Sequence, residues 1–210
     1  MEILKRNVGS LLVVLFLLNG ATAVTAQDTN KKISAFQESY IREASGELQK
    51  AIDALKGIYD EKSYEINLRL GWLTYQSGLF TESLAYYNKA ITLMPYSAEA
   101  RFGLVYPASA MGNWGSVISQ YEKILELMPN NTVAMHRLGL IYYGRGEYEK
   151  AKKYFEKVVN LYPFDYDGLI MLAWTSYQLK DYGKAKVLFN KALMNTPSGS
   201  SAQEGLDLLK

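Results

Sequence analysis

Between residues 68 and 93 the chain carries its apolar residues in helical register. Leu68 to Ser77 and Phe80 to Leu93 each place apolar side chains at i, i+3, i+4 and i+7, the spacing that lines one face of an α-helix. Gly78 separates the two stretches and Pro95 follows the second. A glycine suits the end of a first helix because the chain must reverse there through a positive φ. A proline just past the second helix stops it. The pattern predicts a helix-turn-helix hairpin.

The same arrangement recurs. Pro95, Pro129, Pro163 and Pro197 are each 34 residues apart, and Lys89, Lys123, Lys157 and Lys191 keep that step. So do Tyr87, Tyr121, Phe155 and Phe189; the leucines Leu70, Leu104, Leu138 and Leu172; and Phe80, Trp114, Tyr148 and Tyr182. Four copies therefore span 64–97, 98–131, 132–165 and 166–199. A hairpin of two amphipathic helices cannot cover its own apolar face, so stacked copies must bury it against one another.

These residues resemble the tetratricopeptide repeat, whose pattern is a Leu-Gly pair, a Tyr, a turn Gly, an Ala, an aromatic and a Pro. The copy 132–165 matches most fully, with Leu138-Gly139, Tyr142, Gly146, Ala151, Phe155 and Pro163. The copy 64–97 offers Leu70-Gly71, Gly78, Ser83, Tyr87, Ala90 and Pro95, and the last copy has Lys180 where the turn glycine belongs. Upstream, Gly46 and Ala51 mark a divergent first repeat at 32–63. Downstream, Ser201 and Glu204 are spaced as a capping box before Leu206, which predicts a helix over 200–210 that covers the last repeat. The resemblance implies an all-α, right-handed α-solenoid of about five repeats plus that terminal helix, in one domain over 27–210.

The copy 98–131 departs from the pattern. Pro107 falls inside its first helix, and Val105 and Val117 stand where the family prefers Gly and Ala. Two readings stay open: a tolerated kink, or a reshaped binding surface at the centre of the array.

Composition adds an address. Met1 to Asp28 begins with Lys5 and Arg6, continues through an apolar run from Leu11 to Leu18 and closes on small residues from Ala21 to Ala26. That is the layout of a secretory signal peptide, with cleavage expected after Ala26, or after Ala23. The apolar run is shorter than the ~20 residues a membrane span needs. The expectation is an exported chain, periplasmic or otherwise extracytoplasmic, without stable membrane insertion; an uncleaved anchor is the alternative. The full chain has 23 basic and 21 acidic residues, for a net charge of +2. Losing Glu2, Lys5 and Arg6 leaves +1, which argues against nucleic acid as a partner. There is no cysteine, so disulfides and thiolate chemistry are absent.

Candidate chemistry is sparse. His136 is the only histidine, and a catalytic base or a metal site needs partners, so the structural reading is preferred. Asp165 and Asp167 fall between copies, where Asp serves as a turn and helix-cap residue. Asn130-Asn131-Thr132 is a glycosylation sequon in the equivalent turn. No enzyme, metal or cofactor is expected.

The expected function is that of a scaffold binding a protein or peptide partner, with an envelope glycan as the alternative ligand. In the resembled family, side chains at the second, fifth, ninth, twelfth and thirteenth places of the repeat face a concave groove. Carried over, these are Glu65, Leu68, Trp72, Tyr75 and Gln76; Glu99, Phe102, Tyr106, Ser109 and Ala110; Val133, His136, Leu140, Tyr143 and Gly144; Asp167, Ile170, Trp174, Tyr177 and Gln178. The Lys and Asn with which chaperone-binding members clamp a carboxylate are missing. A row of rings takes their place, either exposed as binding anchors or partly buried between hairpins.

Overall fold

The structure, a computed structural model, describes residues 28–210. The expected signal segment, 1–26, lies outside the described residues. Among these residues the chain forms eleven helices and no strand. They are α1 (28–44), α2 (Leu48–Lys56), α3 (Tyr64–Gln76), α4 (Phe80–Leu93), α5 (Ala98–Ala110), α6 (Trp114–Leu127), α7 (Thr132–Gly144), α8 (Tyr148–Leu161), α9 (Tyr166–Gln178), α10 (Tyr182–Asn195) and α11 (Ser200–Asp207). The fold class is the all-α, solenoid-type repeat of helical hairpins that the periodicity predicts, with a further C-terminal helix.

A side-chain cap marks the start of the first helix of each of four hairpins. Ser63, Ser97, Asn131 and Asp165 precede α3, α5, α7 and α9 at the same 34-residue step. Each side-chain oxygen accepts a hydrogen bond from the amide three residues on, at 3.3, 3.4, 2.9 and 2.8 Å respectively. Such a cap satisfies an amide the helix leaves unpaired and contributes about 1 kcal/mol. Asp165 is therefore a cap. The hairpin turns are equally uniform: Gly46, Gly78, Gly112 and Gly146 all have φ between +69° and +76°. Lys180 takes the same conformation at φ +63° without being a glycine.

The described chain forms two compact units, one up to Pro95 and one from Tyr96 onward. In the first, Ala51, Ile52, Leu55, Ile66, Leu70 and Leu73 form a fully buried cluster, with Phe36, Leu48, Ile58, Trp72 and Tyr86 packed around it. The helix α1 is tied to α3 by polar contacts: Arg69 pairs with Glu43 at 2.7 Å, donates to Ser39 Oγ at 3.2 Å and lies 3.8 Å from the Tyr40 ring centroid.

In the second unit, α5 to α11, the buried residues again keep the repeat step, among them Leu104, Leu138 and Leu172 and the rings of Tyr121, Phe155 and Phe189. Pro107 does not interrupt α5, which has the same 13 residues as α3, α7 and α9. The glycine four positions back, Gly103, leaves the backbone free to adjust around the proline ring. The expected capping box is not formed. The N-cap of α11 is Gly199, without a side-chain cap bond, and Ser201 lies inside the helix. Its hydroxyl instead accepts the indole N–H of Trp174 at 2.8 Å.

Candidate functional site

The distance between the two helices of a hairpin is set where they cross. In α7–α8, Gly139 lies under the Phe155 ring, so closely that an added Cβ would stand 2.6 Å from a ring carbon. In α3–α4, Gly71 meets the Tyr87 ring at 3.0 Å by the same measure, and Ser83 Oγ donates to the Gly71 carbonyl at 2.6 Å. The hairpin α5–α6 has Val105 and Val117 at these two places, both buried. Two branched side chains at the crossing keep the backbones apart, and α5 and α6 pack less closely than the other full hairpins of the unit.

Against this hairpin lies a cleft of about 680 Å³. Helix α5 contributes Phe102, Val105, Tyr106 and Ser109; α6 contributes Trp114, Val117 and Tyr121; α7 contributes Val133, Arg137, Leu140, Ile141 and Gly144, with Arg145 just beyond it. The size and the mostly apolar lining suit a few side chains of a ligand. Tyr106 and Trp114 expose about half their surface (50% and 47%), so their rings are presented rather than buried. Tyr121 is buried and edge-on to Phe102 at 6.2 Å; burial pushes its phenol pKa up, so it is neutral. Arg137 and Arg145 are the two cations at the wall, and the lining contains no carboxylate. The cleft is apolar at its centre, with two guanidiniums at its side, of which Arg145 lies 4.0 Å from the Glu147 carboxylate.

Six of the residues expected in the groove thus come together: Phe102, Tyr106, Ser109, Val133, Leu140 and Gly144. Glu99 and Ala110, also on α5, are exposed outside this lining. His136 and Asp167 line a separate shallow depression with Arg137. The His136 ring packs edge-on against Phe155 at 5.6 Å, and burial holds its pKa below the usual histidine value. Tyr143 is half-buried, edge-on to Tyr148 at 5.3 Å and hydrogen-bonded to Gln178.

The remaining expected residues are placed otherwise. Ile170 is 7% exposed and belongs to the core. Trp174 packs on Phe189 at 5.0 Å and is bonded to Ser201, with Tyr177 edge-on to it at 5.7 Å. In the first unit, α3 carries Glu65, Leu68, Trp72, Tyr75 and Gln76. Glu65 and Gln76 are exposed there, while Leu68, Trp72 and Tyr75 are half-buried, and Trp72 Nε1 donates to Glu43 at 2.6 Å. Both tryptophans act as struts between neighbouring helices.

The sequence did not assign Val105, Trp114, Val117, Tyr121, Arg137, Ile141 or Arg145 to the groove. A signal for the place was present: the cleft sits on the copy where Val105, Pro107 and Val117 break the pattern.

A uniform 34-residue step, positive-φ turns and stacked hairpins define a helical repeat protein. Three family models for the tetratricopeptide repeat match residues 36–98, 133–165 and 166–198, together more than half of the sequence, and the chain belongs to that family. The matches stop at 98 and resume at 133, on either side of the irregular copy. A comparison with curated proteins gave no match.

Solved structures similar to the chain include a tetratricopeptide repeat protein from Parabacteroides merdae (19% identity, 86% of this chain and 72% of that one, TM-score 0.73). Another is MamA from Desulfovibrio magneticus (19% identity, 80% and 97%, TM-score 0.67). A third is YrrB, described as a repeat protein with an unusual peptide-binding site (16% identity, 82% and 90%, TM-score 0.67). At these identities the likeness is one of fold. That fold is the general scaffold of protein-binding repeats.

Proposed function

We propose that the chain is an exported, non-catalytic adaptor that seats a peptide segment of a partner protein in the cleft between α5, α6 and α7. The observation that carries this reading is the cleft itself, with Phe102, Tyr106 and Trp114 presenting rings beside Arg137 and Arg145. Aromatic anchors in a concave, mostly apolar site are the usual centres of binding energy. The similar protein YrrB, with its peptide-binding site, lends general support. The leader-like segment ending at Ala26 supports export, and among the described residues no helix is long and apolar enough to cross a membrane.

The test is affinity capture from native cells with the wild-type chain and with a Tyr106→Ala/Trp114→Ala double variant. A defined set of proteins captured by the first and lost by the folded second is expected; equal capture by both refutes the cleft. Mass spectrometry of the native protein tests export: a chain beginning near Gln27 is expected, and an intact Met1 refutes it. The exposed Trp114 ring would also suit a sugar face. Sedimentation of the protein with insoluble envelope material, without protein capture, would favour that second reading.

A further inference from the structure

A second concavity lies on the hairpin α7–α8 and shares no residue with the cleft. It measures about 430 Å³. Its floor is a pair of parallel rings, Tyr142 and Tyr154, with centroids 5.8 Å apart and planes inclined by 3°. Tyr142 is buried, and Tyr154 is half-buried at the rim of the hollow. Ammonium groups stand over both rings, Lys150 at 5.2 Å from the Tyr142 centroid and Lys157 at 5.9 Å from that of Tyr154. Lys153 and Asn160 complete the lining.

We propose that this concavity binds an anionic sugar, a saccharide unit carrying a carboxylate or phosphate, free or within a polymer. The charge balance points to an anion. The one carboxylate in the lining, Glu156, is engaged by Lys184 at 2.6 Å, and Lys150 is engaged by Glu147 at 2.5 Å. Glu122, outside the lining, also acts on Tyr154, which leaves two lysines, Lys153 and Lys157, against one nearby carboxylate. Lys153 and Lys157 make no ion pair among the described residues and stand three and seven positions after Lys150, on one exposed face of α8. Hydroxyl, amide and ammonium groups around the hollow all donate hydrogen bonds.

The rings point to a sugar. One face of Tyr154 is stacked on Tyr142, and over the ring stands only the flexible Lys157 side chain, which can swing aside for the C–H side of a saccharide while its ammonium meets the charge. A hollow of this volume holds one or two such rings; an acidic helix needs a groove several turns long. A nucleic acid calls for a basic stripe, and the chain as a whole is nearly neutral.

Calorimetric titration of the purified protein with tetragalacturonate and with glucose 6-phosphate tests the site. At least one should bind, more weakly as salt rises, while maltotetraose, the neutral control, should not. Lys153→Glu should weaken binding about tenfold or more, since a lost charge-assisted hydrogen bond is replaced by repulsion. Tyr154→Ala should do the same. Both positions are accessible, and circular dichroism verifies the fold of each variant. Binding of neither anion, equal binding of maltotetraose, equal binding of tetraglutamate or an unaffected Lys153→Glu variant would each overturn the proposal. None of these outcomes bears on capture of proteins by the α5–α7 cleft.

Discussion

Gly139 and Phe155 are in face-to-backbone contact: the ring of one helix rests where the other has no side chain. Gly139→Ala must therefore push ring and backbone apart in an otherwise fully buried crossing. The expected cost is about 1–3 kcal/mol, from overpacking. Thermal or urea denaturation measures it, and an unchanged midpoint would show that the crossing relaxes freely.

Lys180 makes the opposite prediction. It holds φ +63° at the one hairpin turn of the regular copies that lacks glycine. A side chain in that conformation costs roughly 1 kcal/mol, offset in part by the greater freedom of glycine in the unfolded chain. Lys180→Gly should stabilise the protein by a few tenths to about 1 kcal/mol. A lower denaturation midpoint for this variant would contradict the assigned turn.

The first unit should weaken in acid. Burial raises the Glu43 pKa, but the hydrogen bonds from Arg69 and Trp72 and the charge of Arg69 outweigh it, so the folded value lies below the ordinary 4.5. A depressed carboxylate contributes stability that is complete above 4.5 and is lost as pH falls through the folded value. Glu43→Gln should remove that acid dependence. It should also cost about 2 kcal/mol or more at neutral pH, because the Arg69 guanidinium, 8% exposed, is left without its counter-charge. Melting curves between pH 7 and pH 3 decide both points.

His136 acts in the second unit in the same direction but over a higher range. Burial lowers its pKa from 6.5, the nearby Asp167 opposing this. Its contribution is therefore complete above 6.5 and declines as pH falls below that. His136→Phe, which keeps a ring against Phe155, should flatten stability between pH 7 and pH 5.

Trp174→Ala should cost about 3 kcal/mol or more, since it empties the space on Phe189 and releases Ser201 of α11. Capture of partner proteins should persist under conditions where the variant is folded. Loss of capture in a fully folded variant would return the binding surface to α9.

Helix positions, the glycine turns and the Asp165 cap were legible in the sequence because each is decided within about four residues: Gly78 reverses the chain, and Asp165 caps the helix it precedes. The role of the rings was not. Whether Trp72 or Trp174 faces a ligand depends on Glu43 and Ser201, 29 and 27 residues away, and a repeat pattern does not show such partners. The capping box failed for the same reason, since Trp174 claims the Ser201 hydroxyl. The cleft was half legible. Phe102, Tyr106 and Leu140 follow from the helix face, but Trp114 comes from the second helix of its hairpin, and Arg137 and Arg145 enter through the packing of α7 on α6.

The proline inside α5 has a further consequence, for the order in which the molecule breathes. Pro107 has no amide to offer the Gly103 carbonyl, and the Gly-to-ring lock of the neighbouring hairpin is replaced by Val105. Opening of this hairpin thus forfeits fewer interactions than opening of α7–α8 or α9–α10. Amide hydrogens of α5 and α6 should exchange with deuterated water before those of the later hairpins, so the segment nearest the cleft is also the first to yield when a bulky guest asks for room.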